Sequence, residues 1–101
     1  MAATPERKVK DAVIAVLKAY GAYHFYPPGN GFGRAGIPDI IVCFHGHFIA
    51  IECKAGKRRA TKLQERELDR IELAGGIAIV AREHNIDKVT EVLQYMRDRY
   101  A

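Results

Sequence analysis

The chain has 101 residues, of which 49% are hydrophobic and 28% are charged, a composition typical of one soluble globular domain and unlike that of a disordered chain. No apolar run is long enough to cross a membrane and the N-terminus lacks the apolar core of a signal peptide, so we expect one intracellular domain spanning residues 1–101. Sixteen Lys and Arg against twelve Asp and Glu give a net charge of +4, which favours an anionic partner.

The chain begins with a predicted helix and a short strand. Thr4 is a suitable N-cap, and apolar residues recur at helical spacing from Val9 until Gly21 ends the pattern. The next residues, Ala22 to Tyr26, are aromatic and prone to form a strand, which Pro27 ends.

A glycine-rich segment from Pro28 to Gly36 follows, and we expect it to be a mobile loop. Its residues 31–36, GFGRAG, match the G-x-G-x-x-G spacing of dinucleotide-binding sites. Such sites need a helix N-terminus directly after the motif, where the pyrophosphate binds. Here Pro38 leads into a strand, so we expect no nucleotide cofactor. The loop also carries the side chains of Asn30, Phe32 and Arg34.

Four more elements are predicted after this loop. Two strands are expected at about Pro38 to Phe44 and His47 to Lys54. The T-x-x-Q spacing of Thr61 and Gln64 predicts a capping box at the start of a second helix. A short buried strand, GIAIVA, and a last helix capped by Asn85 complete the chain. The resulting order, αβββαβα, predicts an α/β fold in which helices flank a mixed sheet.

The two central strands form a predicted hairpin whose register brings charged residues together. A two-residue turn at His45-Gly46 sets the pairing. In that register Asp39 lies opposite Glu52, with Cβ atoms about 5 Å apart. Lys54 shares the same face because it lies two residues farther along. Both faces of the hairpin are otherwise apolar, so we expect the sheet to be covered on both sides.

The two cysteines, Cys43 and Cys53, lie on opposite faces in this register, which excludes a disulfide between them. Neither has a His or Cys at metal-ligand spacing, so we interpret both as structural thiols.

Opposed carboxylates repel each other, and a hard divalent cation offsets this repulsion directly. Mg²⁺ prefers one or two carboxylates together with waters and phosphate oxygens. Lys54 beside such a cation would position a water or stabilise charge that develops on a phosphate. The alternative is that Lys54 only neutralises Glu52, while Asp39 caps the entrance of its strand.

Pro38-Asp39 followed by Glu52-Cys53-Lys54 resembles the P-D…(D/E)-x-K signature of the PD-(D/E)xK nuclease superfamily, which has a restriction-endonuclease-like fold. The GRAGIPD segment and the downstream T-x-x-Q resemble, within it, standalone members of the VRR-NUC family, over about Glu6 to Val80. The resemblance implies a metal-dependent phosphodiesterase. Asp39 and Glu52 would bind Mg²⁺ or Mn²⁺ together with the carbonyl of Cys53, and Lys54 would be the catalytic lysine.

Two further residues match positions of the family. Glu6 corresponds to an acidic residue on the first helix that contacts the metal, although an acid in a first helical turn also complements the helix dipole. Gln64 is predicted to point inward and to belong to the catalytic set, although its capping role alone accounts for its presence.

A basic segment directly after the metal motif is predicted to contact DNA phosphates, unless it is only a solvated loop. Arg34 is expected to reach phosphate as well. The aromatic residues of the first strand are expected to serve core or dimer packing rather than base stacking: Tyr23, Phe25 and Tyr26. The basic side chains of the segment are Lys57, Arg58, Arg59 and Lys62.

The leading hypothesis is therefore a structure-selective DNA endonuclease. The resemblance implies a homodimer that acts on branched DNA such as four-way (Holliday) junctions. A dimer is also expected on physical grounds, because paired incision of a symmetric junction needs two sites related by a two-fold axis. The alternative is a catalytically silent nucleic-acid-binding module with the same fold. A restriction enzyme with sequence recognition needs base-reading elements for which this chain has no room.

Overall fold

The computed structural model describes residues 3–28 and 34–100, and within them it contains the predicted elements in the predicted order. The strands of these residues form a mixed sheet in the order β1-β2-β3-β4, in which β3 and β4 are parallel and the other neighbours antiparallel. This confirms the α/β fold. The helices are α1 (Pro5–Tyr20), α2 (Lys62–Leu73) and α3 (Ile86–Tyr100); the strands are β1 (Tyr23–Phe25), β2 (Ile40–Phe44), β3 (His47–Cys53) and β4 (Ile77–Ala81).

The helices begin at the predicted positions, with one difference in capping. The Thr4 hydroxyl accepts a hydrogen bond from the Arg7 N–H, and the Thr61–Gln64 capping box is formed in both directions. The predicted cap of α3 is wrong. The side-chain oxygen of Asn85 instead accepts a hydrogen bond from the Arg82 N–H, so Asn85 stabilises the turn after β4.

The hairpin has the predicted turn and the predicted register. His45 and Gly46 both have positive φ, 48° and 81°, as a type I′ turn requires. The ladder pairs Ile40 with Ile51 and Phe44 with His47. This pairing directs one set of side chains towards α1 and α3, where Val13, Leu17, Ile40, Val42, Ile49, Ile51 and Leu93 are fully buried.

The opposite face of the sheet is covered only in part. Among the described residues α2 packs on this face, and it does so against β4. Away from β4, the same face is exposed at Cys43 and at the rings of Tyr23, Phe25 and Phe48. The expectation that both faces are covered is therefore wrong for β1 and β2, and the aromatic strand is not core. Cys43 and Cys53 are both free thiols, as predicted.

The predicted loop from Pro28 to Gly36 lies largely outside the described residues, including Asn30, Phe32 and the first half of the GFGRAG segment. The chain leads from residue 34 into β2 with no helix between, so a strand follows the motif, as predicted. Within the described ranges, no helix has the length and apolar character that crossing a bilayer requires.

Gly36 brings the segment before Asp39 against the first turn of α2. Its φ is 83°, and a Cβ at this position would lie 2.5 Å from the carbonyl carbon and oxygen of Leu63. It would also lie 2.8 Å from the backbone nitrogen of Gln64. Only glycine permits this approach, because both opposing groups are backbone and cannot rotate away.

We predict that Gly36→Ala destabilises the protein more than Gly46→Ala does. Both glycines have positive φ, so each substitution costs about 1 kcal/mol of backbone strain, but a Cβ at Gly46 would meet nothing within 4 Å. Gly36→Ala must in addition displace α2, at an extra cost of about 1–3 kcal/mol. Urea unfolding of both variants measures the difference, and equal losses would contradict the proposed contact.

Candidate active site

Asp39 lies directly before β2 and reaches across to β3. Its Oδ2 accepts a hydrogen bond from the backbone N–H of Cys53 at 2.9 Å. The backbone ladder between the two strands ends at Ile40 and Ile51, so Asp39 extends the pairing through its side chain. The bond fixes one carboxylate oxygen beside Glu52 and leaves Oδ1 available for a ligand.

Glu52 is a carboxylate buried almost completely, with 2% of its surface exposed. Its Oε2 accepts a hydrogen bond from Gln64 Nε2 at 2.8 Å and lies 3.6 Å from Lys54 Nζ. Its Oε1 is buried and has no hydrogen-bond partner among the described residues. Burial, and next the negative charge of Asp39, raise the pKa of Glu52 to about 7, although Lys54 opposes the shift.

Lys54 continues β3 on the same side of the sheet and is 5% exposed. Its backbone N–H donates to the carbonyl of Ala81 at 3.0 Å, which ties this end of the site to β4. The ion pair with Glu52 is the contact that the alternative interpretation requires. That contact engages only one carboxylate oxygen, so neutralisation alone does not satisfy Glu52.

Gln64 caps α2 and also points inward, as predicted. Its side-chain oxygen accepts a hydrogen bond from the Thr61 N–H at 2.8 Å, which completes the capping box. Its amide nitrogen is then directed at Glu52. The start of α2 therefore positions the buried carboxylate.

Glu6 lies in the first turn of α1 with its side chain half-buried. Its Oε1 is buried without a hydrogen-bond partner in the described part of the chain, and lies 3.9 Å from Arg58 Nη1. The charge of Glu6 also contributes to the raised pKa of Glu52. Glu6 is thus near enough to Glu52 to act on it electrostatically, while its own carboxylate is paired with Arg58.

These groups fit a hard divalent cation. Within residues 3–28 and 34–100, no three His, Cys, Asp or Glu side chains are close enough to hold a metal ion on their own. Asp39 and Glu52 offer two carboxylates, with the acid Glu6 nearby, and Mg²⁺ completes a set of this kind with waters or phosphate oxygens. The carbonyl of Cys53 remains the further ligand that the family resemblance implies. The thiol of Cys53 is not a donor, because burial raises its pKa to about 12.

The basic side chains that follow the metal motif are exposed, and their backbone is anchored. Both carboxylate oxygens of Glu83 accept from the Gly56 N–H, at 2.8 and 3.0 Å. The Arg82 guanidinium donates to the carbonyls of Gly56 and Arg58. Sequence reasoning missed both anchors, which lie some 25 residues away in the chain. The side chains left exposed are Lys57, Arg58, Arg59 and Lys62.

Arg34, predicted to reach phosphate, forms an ion pair within the protein. Its guanidinium donates to both oxygens of Glu67, at 3.0 to 3.3 Å, and Arg70 contacts the same carboxylate. Glu67 is 3% exposed, and the hydrogen bond from Arg34 lowers its pKa. The sequence holds one signal for this cluster, because Glu67 lies one helical turn after Gln64.

We predict that Mg²⁺ stabilises the protein more at pH 8 than at pH 5.5. The raised pKa of Glu52 means that the folded state binds a proton more tightly than the unfolded chain between pH 4.5 and about 7. The free energy of unfolding of the metal-free protein should therefore decrease as the pH rises through this range, by at most about 3 kcal/mol. Below pH 7 protons compete with the cation for Glu52.

Thermal unfolding with and without Mg²⁺ measures the difference. Glu52→Gln should remove the response to Mg²⁺ at both pH values, whereas Glu65→Gln, a matched change at an exposed position on α2, should keep it. An equal Mg²⁺ response at both pH values would contradict the prediction.

Comparisons with known proteins identify the family of the chain. No family model matches the chain. It is 35% identical over 82 residues to "Putative nuclease p44" of Acyrthosiphon pisum secondary endosymbiont phage 1. The aligned region covers 79% of this chain and 84% of that protein.

Two solved structures also have the same fold. One, described as "VRR_NUC domain protein", has a TM-score of 0.69 and 25% identity over 96% of this chain and 91% of its own. The other, described as "VRR_NUC domain", has a TM-score of 0.68 and 28% identity over 88% of this chain and 97% of its own. Sequence and fold therefore agree, and the chain belongs to the VRR-NUC family of nucleases.

Proposed function

We propose that this nuclease is a metal-dependent endonuclease that hydrolyses phosphodiester bonds of branched DNA inside the cell. The observation that supports the proposal is the buried Oε1 of Glu52, which has no hydrogen-bond partner among the described residues. An acceptor left without a partner in a buried site costs free energy unless a ligand completes it. Mg²⁺ or Mn²⁺ coordinated by Asp39, Glu52 and the Cys53 carbonyl would do so, with Glu6 acting through water.

The cation would supply Lewis-acid polarisation of a phosphate oxygen and would lower the pKa of a water molecule. Residues of the chain would position the carboxylates and stabilise the developing charge. Gln64 holds Glu52 in place through its amide, and the Cys53 N–H holds Asp39. Lys54, buried beside Glu52, would donate to a phosphate oxygen and stabilise the negative charge that develops there.

The exposed cations at residues 57–62 would hold the DNA backbone next to this site. Glu83 and Arg82 fix the path of the segment, so these side chains extend from a constrained backbone. The ion pair between Arg58 and Glu6 links the same segment to α1. A phosphate that displaces Glu6 from Arg58 would leave the Glu6 carboxylate available to the cation.

A homodimer would match the symmetry of a four-way junction. Each chain offers one set of Asp39, Glu52 and Lys54, whereas cutting two equivalent strands needs two sets related by a two-fold axis. α3 presents the exposed rings of Tyr95 and Tyr100. This surface is a candidate for the contact between subunits.

We predict that the protein, with Mg²⁺ or Mn²⁺, cuts a synthetic four-way junction faster than linear duplex of the same sequence. Lys54→Ala should lower the single-turnover rate on the junction at least about 100-fold, because the variant lacks the buried positive charge that would stabilise the negative charge developing on the phosphate. Lys57→Ala removes the same charge from an exposed position and should retain the rate at saturating protein. Circular dichroism establishes that both variants fold.

Undiminished cleavage by Lys54→Ala would contradict the assignment of Lys54. If the wild-type protein binds the junction but cuts nothing with either metal, the silent binding module becomes the better description. Sedimentation velocity on the same samples tests the dimer, and a monomer that cuts junctions would overturn the proposed two-fold arrangement.

We predict that replacing Lys57 and Arg59 with Ala reduces the salt dependence of DNA binding. Each cation that neutralises a phosphate releases counterions, so the slope of log K against log salt should decrease by about 2 for the double variant. Lys88→Ala, an exposed cation on α3, is the matched control and should leave the slope unchanged. An unchanged slope in the double variant would mean that the segment is only solvated.

A further inference from the structure

An exposed apolar surface lies on the same side of the sheet as the candidate active site. Tyr23, Phe25 and Phe48 are 70%, 46% and 47% exposed, and the ladder places Tyr23 opposite Cys43, Phe25 opposite Ile41 and Cys43 opposite Phe48. We call this surface the aromatic face; it consists of Tyr23, Phe25, Ile41, Cys43 and Phe48. A contiguous apolar surface of this kind marks a binding site more often than it is left to water.

The aromatic face continues directly into the active site. Side chains on a strand alternate between its two faces, so Phe48, Ala50 and Glu52 of β3 lie on one side of the sheet. Phe48 is four residues from Glu52, a distance of about 13 Å along the strand. The hydrogen bond from Gln64 to Glu52 shows that this is the side occupied by α2.

A cavity of about 320 Å³ lies between the aromatic face and α2, with Phe48, Ile71, Arg34 and Arg70 among its lining residues. Both guanidinium groups are more than half exposed, while the Glu67 carboxylate that they contact is 4% exposed. The buried carboxylate thus fixes two arginines at the rim of an apolar cavity. Pockets for small planar ligands combine an apolar wall with a few fixed polar groups in this way.

These features favour nucleic acid as the occupant. Aromatic rings and arginine planes are the groups on which unstacked bases stack, and arginines also contact phosphates. On this face of the sheet, Phe25 lies one row of side chains away from Glu52, and Tyr23 and Phe48 lie two rows away. The distance between neighbouring rows is comparable to the distance between successive nucleotides of an extended strand. A strand whose phosphate is held at Glu52 would therefore place its neighbouring bases over this face.

We propose that the aromatic face and the adjoining cavity bind unpaired bases next to the phosphate that is cut. This inference rests on the proposed nuclease function and adds the feature of the substrate that the protein recognises. Bases within an intact duplex are stacked on each other and cannot lie against these rings. DNA with unpaired nucleotides at a branch point can, which provides a physical basis for selection of branched over linear DNA.

Binding in EDTA tests this proposal independently of cleavage. Fluorescence anisotropy would compare a labelled single-stranded oligothymidylate with a duplex of equal length. Phe48→Ala and Tyr23→Ala should each weaken binding of the single strand on the order of 10-fold, and duplex binding should change little. Leu73→Ala, which removes an exposed apolar side chain at the end of α2, is the matched control and should alter neither.

Two conservative variants distinguish stacking from general apolar contact. Phe48→Tyr keeps a ring and should bind the single strand as tightly as wild type, whereas Phe48→Leu should bind as weakly as Phe48→Ala. An oligonucleotide that contains 2-aminopurine should lose fluorescence on binding to wild type but not to Phe48→Leu.

Unchanged single-strand affinity in Phe48→Ala and Tyr23→Ala would overturn the proposal. Conversion of a wild-type dimer to a monomer by these substitutions would also overturn it, because the aromatic face would then be covered by a second copy of the chain. Either result leaves metal-dependent cleavage by the wild-type protein untouched. Absence of cleavage would instead count against the proposed function.

Discussion

The buried charge of Glu52 is the constraint on which the candidate active site depends. A carboxylate removed from water is costly, and the proximity of Asp39 adds repulsion to the loss of hydration. Lys54 and Gln64 compensate only one of its two oxygens. Lys54 is itself buried and pairs with the same carboxylate, so the charges at this end of the sheet stabilise each other. The second oxygen of Glu52 is the acceptor that the proposed cation and its anionic substrate would complete.

Local backbone geometry holds this site together. The type I′ turn at His45-Gly46 sets the register that puts Glu52 beside the entrance of β2. The capping box of α2 both starts a helix and orients the amide of Gln64 towards the carboxylate. Gly36 lets the chain before Asp39 lie against the same helical turn. β2 and α2 therefore begin beside Glu52, and the turn at the far end of the hairpin determines that Glu52 is the β3 residue that lies there.

Features that depend on short stretches of sequence were predictable. The order of elements, the hairpin register and the inward direction of Gln64 follow from periodicity, turn residues and a four-residue motif. The convergence of Asp39, Glu52 and Lys54 follows from that register. The cap of α3 was predicted wrongly because Asn85 has a competing partner in the Arg82 N–H, which local propensity does not reveal.

Features that depend on distant parts of the chain were not predictable. The Arg34–Glu67 pair joins residues 33 positions apart, and no local pattern selects it over other pairs of charges. The exposure of the aromatic face was missed for a related reason. An apolar strand pattern shows that a face is suited to burial, whereas coverage depends on where α2 packs, and α2 packs against β4.

The backbone of the basic segment is attached to the two residues that follow β4. Arg82 and Glu83 bind the backbone of the segment at Gly56 and Arg58, not its side chains. Exchanging Lys57 or Arg59 for other residues therefore leaves the path of the chain intact. Under the proposed function, affinity for the nucleic-acid backbone could change in small increments while Asp39 and Glu52 keep their geometry, so substrate binding and hydrolysis would be separately adjustable.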